Sequence, residues 1–256
     1  MIRIDADSDE LTRLHAPALA IHADARYALG ALRDQLHGLS RRPSRRTEFF
    51  ARKKQAHAAL AAYQPQAAYA EALRSALPDD AITVNDLTQV TFFATIGLPI
   101  YTPRTFIGPG YQGTLGSAFA TALGAQAGNP ERAVVAIAGD GGFAYTLAEL
   151  ATQRQHDLPV VSVVFNDGAF GNVKRTQQEQ FGGHLLGADL VNPDFVALGR
   201  AFGISSERVE TPAALEGALR SALAVRAPAL IEVQVGPMSN AWPLIGRAGG
   251  VYPVLL

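Results

Sequence analysis

The sequence contains no cysteine, which excludes disulfides, thiolate metal sites and cysteine nucleophiles together. A cytoplasmic location is the default expectation for such a chain. Long hydrophobic runs are also absent, because none reaches the roughly 20 apolar residues that cross a bilayer. The first residues, Met-Ile-Arg-Ile-Asp-Ala-Asp, lack the basic and then apolar order of a signal peptide. We therefore expect a soluble protein without a membrane partner.

The chain also carries almost no excess of positive or negative charge. The formal net charge is −1 and charged residues make up 18% of the chain, so no overall field recruits nucleic acid or an anionic membrane. The exception is a basic stretch at the start of residues 41–63, which contains Arg41, Arg42, Arg45, Arg46, Arg52, Lys53 and Lys54. A run of this kind is usually a solvated helix face. We interpret residues 41–63 as a basic linker and expect no nucleic-acid partner.

What the sequence does have is an alternation of helical and β-branched segments. Strands are predicted over Ile82–Val84, Val134–Ala138, Val160–Phe165 and Ala229–Val235. These runs show no polar alternation, as is typical of parallel strands covered on both faces. Helices are predicted over Gln66–Leu77, Thr114–Gly128 and Phe143–His156, from Asn192 as cap to Gly203, and from Pro212 onward. The pattern predicts an α/β fold, a doubly wound parallel sheet flanked by helices.

The chain divides into three predicted parts. Residues 1–40 hold two short apolar stretches and a helix, which is too little to fold alone. Residues 41–63 are the basic linker, and residues 64–256 form the main α/β domain.

Two acidic turns are the most informative local feature. Gly139-Asp140-Gly141-Gly142-Phe143 and Asn166-Asp167-Gly168-Ala169-Phe170-Gly171 each follow a predicted strand, and one helix lies between them. Asp140 and Asp167 are 27 positions apart (167 − 140). Because a right-handed crossover brings the carboxyl ends of parallel strands to one edge, both carboxylates should meet there. The alternative is that each aspartate only caps its own turn.

These turns have the composition of a magnesium and phosphate site. Mg²⁺ takes oxygen ligands, usually one or two carboxylates together with phosphates and waters. Gly141 and Gly142 leave the backbone bare where the predicted helix begins at Phe143, so a diphosphate could approach closely.

A competing motif, Gly108-Pro109-Gly110-Tyr111-Gln112-Gly113, has the spacing of a dinucleotide fingerprint. It fits poorly because Pro99 and Pro103 interrupt the segment that should be a strand. A nicotinamide or flavin site here is kept as the weaker alternative.

The combined residues resemble the diphosphate-binding domain of the thiamine diphosphate enzymes, in the branch with acetolactate synthase and benzoylformate decarboxylase. The resemblance is carried by Leu123-Gly124, Pro130, Val135, Ile137, Gly139-Asp140-Gly141-Gly142 and Asn166-Asp167. It implies thiamine diphosphate and Mg²⁺ as cofactors, with the side chains of Asp140 and Asp167 and the carbonyl of Ala169 as metal ligands. The implied cofactor-binding set is Gly113, Thr114, Leu115, Gly139, Asp140, Gly141, Gly142, Asp167, Ala169, Phe170, Gly171 and Asn172.

Within that set, the resemblance gives two residues a particular role. The carbonyl of Gly113 would accept from the pyrimidine amino group, and Leu115 would bend the cofactor. An ordinary core position is the alternative for Leu115.

The resemblance also implies a partner. Family members activate the cofactor with a glutamate from a separate N-terminal pyrimidine-binding domain, which has no counterpart in this sequence; residues 1–38 look like the end of the family's middle domain. We therefore predict a second polypeptide that carries that domain, in a hetero-oligomer with at least two copies of each chain, or else a fragment. FAD is left open and has no support in this chain.

The resemblance implies decarboxylation or carboligation of a small 2-oxo acid. Acetolactate formation is in doubt, because Val173-Lys174-Arg175-Thr176-Gln177-Gln178 stands where acetolactate synthases usually carry a tryptophan, and the only tryptophan here is Trp242. No catalytic residue is assigned with certainty, although His184 in a predicted lid over 177–190 is a weak candidate for a proton shuttle. The alternative function is a module that binds cofactor or partner without turnover.

Overall fold

The computed structural model describes residues 1–13, 15–39, 43–110 and 112–241. The chain forms two compact units, Met1–Arg52 and Lys53–Leu256. Arg41, Arg42, Tyr111, Trp242 and the rest of the predicted main domain after residue 241 lie outside the described residues. The predicted boundaries at 40/41 and 63/64, and the relation of residues 1–40 to a middle domain, stay predictions.

The first unit contains a small parallel sheet and a helix. Strand β1 (Ile2–Asp5) pairs with β2 (Leu19–His22). Helix α1 (Ala25–Gln35) follows Asp24, whose carboxylate accepts from the backbone N–H of Arg26 at 2.9 Å. Such a cap satisfies one of the free amides of the first turn. The basic residues from Arg46 to Lys54 lie on helix α2 (Arg46–Ala61), none of whose residues is buried.

The second unit alternates helices and strands. In chain order they are α3 (Gln66–Ala76), β3 (Ile82–Asn85), α4 (Gln89–Gly97), β4 (Phe106–Ile107), α5 (Ser117–Gly128), β5 (Val134–Gly139), α6 (Asp140–Thr146), a 3₁₀ turn (Leu147–Glu149), α7 (Leu150–Gln155), β6 (Val160–Asn166), α8 (Gly171–Gln180), α9 (Phe195–Ala201), β7 (Ser205–Val209), α10 (Pro212–Val225) and β8 (Ala229–Gln234). The six strands form one parallel sheet in the order β4-β3-β5-β6-β8-β7. The predicted doubly wound α/β fold is confirmed.

Two apolar layers cover the sheet, one on each face. In β5, Val135 and Ile137 pack on the side of α3 and α10, whereas Val134, Ala136 and Ala138 pack on the side of α5 and α6. Each fully buried valine or isoleucine side chain contributes about 1.5–3 kcal/mol. Burial on both faces explains why the central strands show no polar alternation.

Three predicted helix starts are wrong. The helix expected from Thr114 begins at Ser117. The helix expected from Phe143 begins at Asp140, and a 3₁₀ turn interrupts it. Asn192 does not cap α9, because Asp194 does so: its carboxylate accepts from Val196 and Ala197 at 3.0 Å each. Within the described ranges, no helix combines the length and the apolar content that crossing a membrane requires.

Candidate functional site

The register of two neighbouring strands brings the acidic turns together. Strands β5 and β6 are paired in parallel, with Gly139 opposite Phe165. Asp140 therefore leaves β5 at the same edge of the sheet where Asp167 follows β6. The predicted meeting of the two carboxylates is what the topology produces.

Asp140 is the more buried of the two aspartates. It is the first residue of α6, and only 2% of it is exposed. Its Oδ2 accepts from the backbone N–H of Gly168 at 3.0 Å and from Nδ2 of Asn192 at 2.6 Å. Burial raises the pKa of this carboxyl, although the hydrogen bonds from Asn192 and from backbone amides oppose the rise.

Asp167 lies on the turn that follows β6, where its Oδ1 accepts from the backbone N–H of Ala169 at 3.2 Å. Burial, and next the negative charge of Asp140, raise the pKa of Asp167 to about 6. Two desolvated carboxylates that repel each other fit a divalent cation between them, since the cation stabilises both charges.

The donor set favours magnesium over a transition metal. In the part of the chain that the structure describes, no group of three or more His, Cys, Asp or Glu side chains is placed to hold a metal ion. A cation at Asp140 and Asp167 must therefore complete its shell with carbonyl, phosphate or water oxygens. Mg²⁺ is bound in this way.

The glycines of both turns let neighbouring side chains lie very close to the backbone. A Cβ atom added at Gly142 would lie 2.5 Å from Oδ2 of Asp86, and one added at Gly171 would lie 2.6 Å from Oδ2 of Asp167. At Gly141 the added Cβ would lie 2.5 Å from the ring of Phe170. The sequence argument gave Gly141 and Gly142 only the role of leaving backbone bare for a ligand, and the structure adds packing of the turns against each other.

Sequence reasoning missed Asp86, which holds a third segment at this edge. Asp86 follows β3 directly and is 1% exposed. Its Oδ2 accepts from the backbone N–H of Gly116 at 2.7 Å, and its Oδ1 accepts from that of Leu87 at 2.9 Å. This carboxylate fixes the segment 113–116 beside α6. The sequence feature that could have revealed Asp86 is its position immediately after a predicted strand.

A cavity of about 260 Å³ joins these elements at the carboxyl edge of the sheet. Eleven of the twelve predicted cofactor residues line it: Gly113, Leu115, Gly139, Asp140, Gly141, Gly142, Asp167, Ala169, Phe170, Gly171 and Asn172. The twelfth, Thr114, is exposed and outside the lining, and its carbonyl accepts from Ser117 Oγ at 3.1 Å. Leu115 is half-buried in this lining and does not belong to the buried core.

Comparison with known proteins identifies the domain. Residues 86–233, more than half of the chain, match the family described as "Thiamine pyrophosphate enzyme, C-terminal TPP binding domain". The chain belongs to this thiamine diphosphate family. The resemblance stated from the sequence is confirmed.

Named relatives in the family are decarboxylases and acetolactate synthases. The chain is 32% identical to a probable 2-ketoarginine decarboxylase of Pseudomonas aeruginosa over 250 residues, which covers 91% of this chain and 42% of that protein. It is 29% identical to the acetolactate synthase isozyme 2 large subunit of Escherichia coli, covering 96% of this chain and 45% of that protein.

The fold of this chain is also similar to that of a solved enzyme structure. The thiamine diphosphate-dependent 4-hydroxybenzoylformate decarboxylase of Rhodococcus jostii superposes with a TM-score of 0.71 at 26% identity, over 92% of this chain and 44% of that one. The chain thus spans less than half the length of these relatives.

In this thiamine diphosphate family member, two features make the cavity suitable for an anion. Gly171, Asn172 and Val173 form the first turn of α8 and line the cavity, and no side chain caps that helix. The amino-terminal end of a helix carries partial positive charge and attracts anions. The half-buried Arg175 donates to Gln89 Oε1 at 3.1 Å and to Asn172 Oδ1. Both partners line the cavity, and Arg175 itself lies outside the lining, so its positive charge is placed behind the cavity wall formed by these two residues.

His184 lies outside the cavity lining. It is exposed, and its backbone N–H donates to the carbonyl of Phe181 at 3.2 Å. Its weak candidacy as a proton shuttle stays a prediction. The predicted lid over 177–190 begins inside α8, which continues to Gln180.

Proposed function

We propose that this chain is the cofactor-binding part of a thiamine diphosphate- and Mg²⁺-dependent enzyme that decarboxylates a small 2-oxo acid or joins it to a second carbonyl compound. The observation that carries the proposal is the single cavity lined by eleven predicted cofactor residues, with Asp140 and Asp167 in it. The names of the relatives, decarboxylases and acetolactate synthases, support the reaction class.

Asp140, Asp167 and the carbonyl of Ala169 are our candidate ligands for Mg²⁺. The turn that holds Asp167 and Ala169 is braced by an antiparallel bridge between Ala169 and Asp189. In this bridge Phe170 donates to the Ala188 carbonyl and Leu190 donates to the Gly168 carbonyl, both at 2.8 Å. Ligands held in place before the metal arrives lose little conformational entropy on binding.

The first turn of α8 would hold the diphosphate in the cavity. The backbone of Gly141 and Gly142 borders the same space, and Arg175 adds positive charge. Half-buried Leu115 is suited to contact the organic part of the cofactor, and the segment 113–116 is held by Asp86. When bound, thiamine diphosphate supplies the stabilised carbanion chemistry, and the protein supplies binding, orientation and electrostatics.

A partner chain is part of the proposal. In the described part of the chain, Asp140 and Asp167 are the ionisable residues that line the cavity, and no glutamate does. An activating glutamate would therefore come from outside the described residues, and we propose that a second polypeptide with a pyrimidine-binding domain supplies it, in a hetero-oligomer with at least two copies of each chain. The cytoplasmic location stays a prediction.

The cofactor assignment is tested by titrating Mg²⁺ into the full chain with thiamine diphosphate and measuring the heat. We expect binding by the wild type and a loss of more than about 100-fold in Mg²⁺ affinity for Asp140→Ala, because direct ligands count for more than the outer partners that cost 10–100-fold. Asp140→Asn is a second variant with less risk to folding, and Asp157→Asn, an exposed residue after the end of α7 and outside the cavity lining, is the control. Unchanged affinity in folded Asp140 variants would contradict the assignment.

The partner is tested separately by a native mass spectrum of the protein from its own source, in Mg²⁺ and thiamine diphosphate. A complex with a different polypeptide and cofactor is the expected result. A monomer or homo-oligomer without cofactor would contradict the two-chain enzyme and favour either a fragment or the module without turnover.

A further inference from the structure

A carboxylate buried in the sheet, away from the cavity lining, is linked to the cation site through side chains. Glu232 lies on β8, where it is opposite Val164 of β6 and Arg208 of β7, and it is 1% exposed. Its Oε2 accepts from Nε of Arg208 at 2.8 Å. Its Oε1 accepts from Nδ2 of Asn166, the last residue of β6, at 2.7 Å. Glu232 is therefore held between a cation and an amide.

Glu232 determines which way the amide of Asn166 points. A carboxylate only accepts hydrogen bonds, so the NH₂ group of Asn166 must face it. The carbonyl oxygen of the same amide then faces the acidic turn. There it accepts from the backbone N–H of Gly168 at 3.2 Å and from Nδ2 of Asn192 at 3.0 Å.

Asn192 carries this orientation on to Asp140. Its Nδ2 donates at the same time to Asn166 Oδ1 at 3.0 Å and to Asp140 Oδ2 at 2.6 Å. The backbone N–H of Gly168 is shared between the same two acceptors. Two donors thus bridge Asn166 and Asp140, and both depend on the Asn166 carbonyl facing them.

We propose that Glu232 is a positioning residue for the cation site, acting through Asn166 and Asn192 to hold the carboxylate of Asp140 in one orientation. The proposal rests on the proposed role of Asp140 as a magnesium ligand. Arg208 belongs to it as the residue that holds the second oxygen of Glu232.

Glu232→Gln is the informative change, because it keeps the shape and alters the donors. A glutamine has one acceptor oxygen where glutamate offered two. If that oxygen faces Arg208, the glutamine NH₂ meets the Asn166 NH₂, and the Asn166 amide must turn over. Its NH₂ would then meet the Gly168 N–H and Asn192 Nδ2, so the donors to Asp140 lose their shared acceptor.

The experiment is a calorimetric Mg²⁺ titration of the full chain with saturating thiamine diphosphate. We expect about 10-fold weaker Mg²⁺ binding for Glu232→Gln, at the low end of what outer partners of metal ligands contribute. Glu207→Gln, an exposed glutamate on neighbouring β7, is the matched control and should bind as the wild type does. Circular dichroism reports whether each variant is folded.

A double-mutant cycle separates positioning from a general structural effect. Asn192→Ala changes a half-buried loop residue, and it should also weaken Mg²⁺ binding. If Glu232 acts through Asn192, the double variant should be little worse than the more affected single variant, whereas independent effects multiply.

The outcomes are distinct. A folded Glu232→Gln variant with wild-type Mg²⁺ affinity, or multiplicative effects in the cycle, would overturn the positioning role. If Glu232→Gln does not fold, wild-type affinity in Asn192→Ala overturns it alone, and weakened affinity there supports the link to Asp140. If the wild type itself binds no Mg²⁺, the proposed function fails instead.

Discussion

The carboxylate of Asp86 accepts a hydrogen bond from the backbone N–H of Gly116 at 2.7 Å, across 30 positions of the chain. The bond ties the end of β3 to the segment that enters α5. Gly142 packs against the same carboxylate, and Thr146 Oγ1 donates to the Gly116 carbonyl at 2.9 Å. Asp86 therefore joins the two glycine-containing segments that border the cavity.

Gly142→Ala should destabilise the protein even though Gly142 lies in a helix. Alanine is normally better than glycine in a helix by about 0.8–1.0 kcal/mol. Here the new Cβ would lie 2.5 Å from Asp86 Oδ2 and 3.5 Å from the Gly116 nitrogen. Overpacking of this kind costs about 1–3 kcal/mol, so we expect a net loss in the free energy of unfolding, measured by urea titration.

Gly124→Ala provides the matched control for that prediction. Gly124 lies inside α5, and an added Cβ would meet nothing within 4 Å. This variant should be stabilised by about 0.5–1 kcal/mol. Equal stabilisation of both variants would show that Asp86 does not constrain Gly142.

The acidic turns were predictable because the signal is local and the topology does the rest. An aspartate directly after an apolar β-branched run lies at a strand end, and parallel pairing of β5 with β6 brings two such ends together. Two points had to be inferred: that β5 and β6 are neighbours in the sheet, and that the crossover between them is right-handed. Both follow general rules of α/β folds.

The positions of Asp86 and Asn192 could not be assigned in the same way. Their partners, Gly116 for one and Asp140 and Asn166 for the other, are 26 to 52 positions away in sequence. Asn192-Pro193 has the local pattern of a helix start, but Asp194 is the cap of α9. Because Asp194 caps the helix, the Asn192 amide donates to Asp140 instead. Local sequence does not distinguish these two roles of Asn192, and only the tertiary structure does.

Mg²⁺ binding should weaken below about pH 6. The pKa of Asp167 rises from 3.8 to about 6 in the folded chain, so the folded state holds a proton there that the unfolded state has released. The contribution of Asp167 to the free energy of unfolding is therefore largest below pH 3.8, and it is lost as the pH rises through about 6. Because metal and proton compete for the carboxylate, Mg²⁺ affinity should fall up to about 10-fold per pH unit below the pKa.

Asp167→Asn isolates that titration. Calorimetric Mg²⁺ titrations between about pH 5 and about pH 7 should give a steep pH dependence for the wild type and a flatter one, with weaker binding throughout, for the variant. Likewise, the loss of stability of the metal-free protein as pH rises should be smaller in Asp167→Asn. An identical pH dependence in the two proteins would assign the titration to another group.

Arg175→Gln should weaken binding of thiamine diphosphate more than binding of thiamine. The guanidinium has neutral hydrogen-bond partners, Gln89 and Asn172, and no ion pair to it occurs among the described residues. Burial lowers the pKa of this side chain, and a half-buried cation behind the cavity wall attracts a phosphate in the cavity. A charge-assisted hydrogen bond of about 1.5 kcal/mol corresponds to a loss of about 10-fold in diphosphate affinity.

The comparison with thiamine identifies the group that Arg175 contacts, because thiamine has the same rings and no phosphate. Arg220→Gln is the control, since Arg220 lies on α10 and its hydrogen-bond partners, Ser75 and Glu216, lie outside the cavity lining, whereas those of Arg175 belong to it. Equal weakening of both ligands by Arg175→Gln would mean that the side chain only supports the fold of α8. Unchanged affinity for both, with altered capture of a 2-oxo acid by the assembled enzyme, would place the charge of Arg175 at the substrate carboxylate instead.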